Sequence, residues 1–65
     1  MFNKNEFKAA IARAGMTSRE LAEKIGINES TLYRKINSNG AFNREEINTI
    51  IEVLHIEDPK EIFFA

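Results

Sequence analysis

The stretch TSRELAEKIGINESTLYRKIN, residues 17–37, leaves the chain little choice, because two short helical patterns meet there at a single glycine. Thr17 and Glu20 form a capping box: the hydroxyl accepts from an otherwise unpaired amide, and the carboxylate reaches back to the start of the helix. Leu21, Ala22 and Ile25 then recur at i, i+1 and i+4, which puts them on one helical face. Gly26 follows at once, where a left-handed C-cap calls for a residue without a Cβ. Ile27 gives the turn an apolar plug, and Asn28 is a good N-cap for a second helix that buries Leu32 and Ile36 at i, i+4 spacing. The helices are expected over about 18–25 and 29–37.

This run closely resembles the helix-turn-helix of phage repressor and Cro-type regulators, the family also called XRE-like. Ala22, Gly26 and Leu32 stand where that motif has a small residue, a glycine and an aliphatic residue. Ala22 would let the helices approach, and Leu32 would lock the second onto the first. The likeness runs from about Glu6 to Ile56 in the order of helical patterns. The ending DPKEIFFA is similar to that of small prophage-encoded regulators of Gram-positive bacteria. Two positions depart from the pattern: Ser18 stands where many members have a phosphate-contacting glutamine, and Lys35 where an apolar residue is common. The resemblance implies an all-α, compact five-helix lambda-repressor-like DNA-binding domain.

The rest of the chain reads as a brace for that motif. Phe7, Ala10, Ile11 and Ala14 at i, i+3, i+4 and i+7 make one buried stripe over residues 4–14, capped by Asn3 or Asn5 and ended by Gly15. Met16 packs beneath the motif. The turn formers Asn37-Ser38-Asn39-Gly40 predict an exposed loop, and Phe42 returns it to the core. Asn43 and Glu46 form a second capping box, opening a helix over about 44–54 with Ile47, Ile50, Ile51 and Leu54 inward. Asp58, Pro59 and Glu61 stand in N-cap, first-turn and N3 order for a last helix over 59–64. The expectation is five helices in one domain, residues 1–65, with no strand.

Composition removes several function classes. Without cysteine there is no disulfide and no thiolate metal site, and the lone His55 cannot form a metal cluster, so no cofactor or metal is expected. No His/Asp/Ser set or carboxylate pair falls in a pocket-forming context, so an enzyme is not expected. No apolar run approaches the roughly 20 residues of a membrane span and no signal-peptide pattern is present, which makes a soluble cytoplasmic protein the expectation. A net charge of −1 argues against nucleic acid until its distribution is read. Residues 1–44 hold Lys4, Lys8, Arg13, Arg19, Lys24, Arg34, Lys35 and Arg44 against Glu6, Glu20, Glu23 and Glu29, a balance of +4. Residues 45–65 hold only Lys60 against Glu45, Glu46, Glu52, Glu57, Asp58 and Glu61, a balance of −5. That polarity fits a DNA reader with a modest steering field, and equally fits ordinary solvated surfaces.

If the second helix of the motif enters a major groove, Glu29, Ser30, Tyr33, Arg34 and Asn37 share its outward side, with Asn28 at its mouth. Arg34 can bond guanine bidentately, Asn28 and Asn37 can pair with adenine edges, Ser30 is adaptable and Glu29 can accept from cytosine. Tyr33 can stack on a sugar or touch a thymine methyl, or simply lie on the helix. Phosphates would be met by Thr17, Ser18 and Arg19 at the start of the first helix, by Ser38, Asn39, Gly40, Asn43 and Arg44 after the second, and by flanking Lys35. Of Ile62, Phe63 and Phe64, one or two belong in the core and the remainder forms an apolar patch for a symmetric dimer, with Phe63 and Phe64 as the candidate contacts. The expected function is a sequence-specific transcriptional regulator that occupies an operator in double-stranded DNA, as a homodimer at least when bound. The competing reading is a protein-interaction module on the same fold, antirepressor- or antitoxin-like, supported by the acidic 45–65 region and the nearly uncharged 38–43 loop.

Overall fold

Local signals and structure agree closely along most of the chain. The computed structural model describes all 65 residues, with α1 at Lys4–Arg13, α2 at Ser18–Ile25, α3 at Glu29–Asn37, α4 at Arg44–Leu54 and α5 at Lys60–Phe63. Asn3 is the cap of α1, its side chain accepting from the Glu6 amide at 3.1 Å. Both expected capping boxes close reciprocally, Thr17 with Glu20 and Asn43 with Glu46. Each such cap contributes about 1 kcal/mol against an alanine in its place. Gly26 ends α2 in the left-handed region at φ 89°, and the Ile27 amide bonds back to the Ala22 carbonyl at 3.0 Å. An L side chain would be strained at that φ, so the sharp turn into α3 depends on this glycine.

The helices enclose one core. Helix α2 packs on α3 and α4, while α1 packs on α4 and α5. Phe7, Leu21, Leu32 and Ile50, one from each of the first four helices, are fully buried at its centre. Ala22 and Ile36 lie beside them, as the helical spacing required, and Met16, Ile27, Phe42, Ile47, Ile51 and Ile56 pack around the edge.

Helix α5 departs from expectation in two ways. It is a single turn, with Pro59 rather than Asp58 at the N-cap position, although the Asp58 carboxylate still accepts from the Lys60 amide at 3.2 Å. Phe63, expected at an exposed patch, is instead buried at 8% exposure. Its ring completes a cluster with Phe2, Phe7 and Phe42, at centroid separations of 6.0, 6.4 and 6.4 Å. The cluster is possible because Phe2, outside every helix, folds back over the core, its ring 5.4 Å from that of Phe7. Only Phe64, at 70% exposure, remains for a partner.

These two neighbours give a sharp test by urea denaturation. A domain of this length has roughly 3–10 kcal/mol of stability in all. Phe63→Ala should remove about 3–5 kcal/mol and leave a barely cooperative transition, whereas Phe64→Ala should stay within about 0.5 kcal/mol of the parent. Equal effects would contradict this placement.

Candidate nucleic-acid interface

The outward side of α3 is open. Asn28, Glu29, Ser30, Tyr33, Arg34 and Asn37 are all exposed, Tyr33 only moderately at 44%. Arg34 belongs to neither of the two ion pairs in the molecule, so its guanidinium is free to fork onto an external acceptor. Leu32 and Ile36, on the opposite side, are buried against the core, which fixes the roll of α3 about its own axis.

Capping decides which atoms the asparagines present. Asn28 Oδ1 accepts from the Thr31 amide and from the Ser30 hydroxyl, both at 2.8 Å. Asn43 Oδ1 accepts from the Glu46 amide at 2.8 Å. Asn37 Oδ1 accepts from Lys4 Nζ at 2.9 Å. In all three the carbonyl oxygen is committed within the chain and the amide NH2 is left to donate. Asn28 Oδ1 already accepts two bonds, which leaves its NH2 to donate, whereas Asn37 Oδ1 accepts one and keeps a lone pair, so the bidentate adenine role stays open to Asn37. Donation suits guanine O6 and N7, thymine O4, adenine N7 or a phosphate.

The flanks offer further donors. Neither the first two amides of α2, on Ser18 and Arg19, nor those of α4, on Arg44 and Glu45, have a partner within the chain. The amides of Asn39 and Gly40 in the α3–α4 loop are also unpaired. Arg19, Ser38, Asn39 and Arg44 are exposed and Ser18 is half-buried. Thr17 Oγ1 accepts from the Glu20 amide at 3.1 Å, which leaves its hydroxyl proton to donate outward. Helix starts carry partial positive charge, so these amides favour anions although the chain as a whole is at −1.

Lys35 is the exception among the expected phosphate contacts. Its ammonium lies 2.9 Å from Glu46 Oε1, with the two side chains only 20% and 11% exposed. The same oxygen accepts from the Asn43 amide at 2.9 Å. Lys35 therefore ties α3 to the start of α4 instead of reaching outward, because a half-buried carboxylate that closes a capping box is a stronger partner than solvent. Partial burial pushes the Glu46 carboxyl up, but the Asn43 amide and the Lys35 ammonium outweigh it and hold the group below its ordinary value of 4.5.

Three residues outside the sequence-based set act on this face. Glu46 anchors Lys35, Lys4 holds Asn37, and Phe2 lies so close under Gly40 that a Cβ there would stand 2.3 Å from Phe2 Cδ1. Gly40, at φ 68°, is thus needed twice over, for its backbone and for the ring beneath it. One signal for Lys4 was visible in the sequence: a cation at the first position of a helix opposes the dipole. Pairing of Lys35 with Glu46 across a loop had no such signal.

Four of the ten acids lie together away from this face. Glu6, Glu57, Asp58 and Glu61 border a cleft of about 470 Å3 between α1, the end of α4 and α5, and it shares no residue with the face described above.

A family profile described as Cro/C1-type HTH DNA-binding domain matches residues 6–64, nearly the whole chain. The chain belongs to this family. The five-helix, strand-free architecture agrees with it. No curated protein and no solved structure matches the chain individually. In this Cro/C1-type domain no helix is long and apolar enough to cross a membrane.

The depressed Glu46 sets a pH dependence. The carboxylate stabilises the folded domain above its ordinary value of 4.5, and this contribution is lost as pH falls through the lower folded value. In urea titrations Glu46→Gln should be less stable than the parent at neutral pH, and the gap should narrow below about pH 4.5. A gap unchanged down to about pH 2 would contradict the ion pair.

Proposed function

We propose that this domain is a transcriptional repressor that lays α3 in the major groove of an operator and blocks polymerase access. The observation that carries the reading is the exposed, unpaired Arg34 within a stripe whose asparagines are turned to donate. Base reading falls to Arg34, Asn28, Ser30 and Asn37, with Tyr33 touching sugar or a thymine methyl. Glu29 is the one acid on the stripe, and it favours a cytosine amino group over any phosphate. Thr17, Ser18, Arg19, Ser38, Asn39, Gly40, Asn43 and Arg44 meet the backbone on either side. The protein would act in the cytoplasm, without cofactor or catalysis.

Two copies serve an operator better than one. The Cα trace is 25 Å in its longest dimension, short of the roughly 34 Å between successive major-groove turns on one side of DNA. Phe64 and Met1, exposed at 70% and 84%, lie at adjoining termini, since the Met1 ammonium bonds the Ala65 carbonyl. That small apolar patch is the proposed dimer contact, with Phe64 in it and Phe63 beneath. The alternative of a protein-interaction module draws on the acidic cleft, which leaves the α3 face free and so does not compete with DNA binding.

Selection from a random DNA pool, followed by mobility shifts on the selected site, tests the proposal. The selected site should be a palindrome with half-sites one helical turn apart. Arg34→Ala should cost about 1–3 kcal/mol and relax preference for one guanine. No salt-dependent binding, or no loss with Arg34→Ala, would overturn the DNA reading.

A further inference from the structure

Lys4 is the first residue of α1, where an ammonium works against the helix dipole. It forms no ion pair that would offset this, and its one polar contact runs to Asn37, 33 positions away at the far end of α3. There the geometry is reversed: the last carbonyls of α3 make a partial negative charge that would repel a phosphate near Asn37. The Lys4 ammonium reverses the sign at that point.

We propose that Lys4 and Asn37 act as a donor pair that grips an acceptor oxygen of the DNA, beyond the C-terminal end of α3. The proposal rests on the DNA reading above and names a contact which that reading lacks. Asn37 Oδ1 faces Lys4, so its NH2 points away, and the ammonium keeps two further N–H groups. The pair thus turns several N–H donors outward. Beside it lies a cleft of about 260 Å3 lined by Phe2, Lys4, Ile36, Asn37 and Asn39, and the Asn39 amide is itself unpaired.

The base of Lys4 is held from both sides. The Asn3 amide donates to the Ile62 carbonyl at 2.6 Å, and the Phe2 ring is seated against Gly40 and the aromatic cluster. A lysine on so fixed a stem loses less freedom on binding than one on a free arm. A net-negative chain also has few other cations to spare: of its nine Lys and Arg residues, Arg13 and Lys35 are already paired to carboxylates. The acceptor is either a backbone phosphate or the O6/N7 edge of a guanine, and the two have different signatures.

The test is the salt dependence of binding to the selected operator for the full chain, Lys4→Ala, Lys4→Gln and Lys4→Arg. Removing a phosphate contact should lower the log–log salt slope by about 0.9, and weaken binding roughly tenfold at about 0.1 M salt, for each copy bound, whatever the sequence. Lys4→Gln should behave like Lys4→Ala, and Lys4→Arg like the parent. A loss confined to operators carrying one particular guanine supports the same donor pair and assigns it to the base edge. Thermal melts of Lys4→Ala should not fall, because the substitution removes an unfavourable charge from the helix start, so lost binding cannot be lost folding. If the parent binds in a salt-dependent way and Lys4→Ala matches it in affinity and slope, the donor pair is overturned while the DNA reading stands. If the parent shows no salt-dependent binding, both fall.

Discussion

Phe7 is the hub on which the aromatic core of this domain turns. Fully buried, it meets the rings of Phe2, Phe42 and Phe63, and through them the N-terminal segment, the α3–α4 loop and α5. A chain this short has only eleven buried residues, all apolar, so little else can substitute for that hub. Small domains bury too little surface for redundancy. The loop after α3, rich in turn formers and nearly uncharged, is positioned by Phe42 and the Gly40–Phe2 contact together with the Ala41 amide bond to the Lys35 carbonyl and the Phe42 amide bond to the Gly40 carbonyl. Aromatic packing thereby helps to set the loop beyond the C-terminal end of α3.

That polar face solves a charge problem by orientation rather than by number. The chain at −1 cannot rely on a strong field to find phosphate. The side-chain oxygens of Asn28 and Asn43 are engaged in caps and that of Asn37 by Lys4, so their NH2 groups are left to donate, and the free amides at the starts of α2 and α4 add partial positive charge. Glu46 extends the same economy, since one carboxylate oxygen closes a capping box and fixes Lys35. Four of the ten acids, Glu6, Glu57, Asp58 and Glu61, are set apart in the cleft by α5. Affinity from a single copy should be modest, and the proposed pairing through Phe64 would raise it.

Much of this was legible in the sequence because it is local. Thr17 with Glu20, Asn28, Asn43 with Glu46, and Gly26 announce helix boundaries through neighbours no more than a few residues away, and the observed boundaries follow them. The exposed stripe of α3 follows from helical periodicity alone. What stayed hidden depends on residues far apart in the chain. Lys35 reads as a surface cation until Glu46 is seen beside it, and nothing in the sequence shows that Lys4 holds the Asn37 oxygen. Phe63 and Phe64 are indistinguishable in sequence. Only the fold-back of Phe2 decides which of them is core.

The central claim is that the α2–α3 face and the loop behind it, not the acidic cleft, meet DNA. Amide chemical-shift mapping on the labelled domain, titrated with its selected operator, tests this most directly. Shifts should concentrate at residues 17–19, 28–37 and 38–44 and extend to Lys4, leaving residues 54–61 unmoved. Shifts centred on residues 54–61, or none at all, would contradict it.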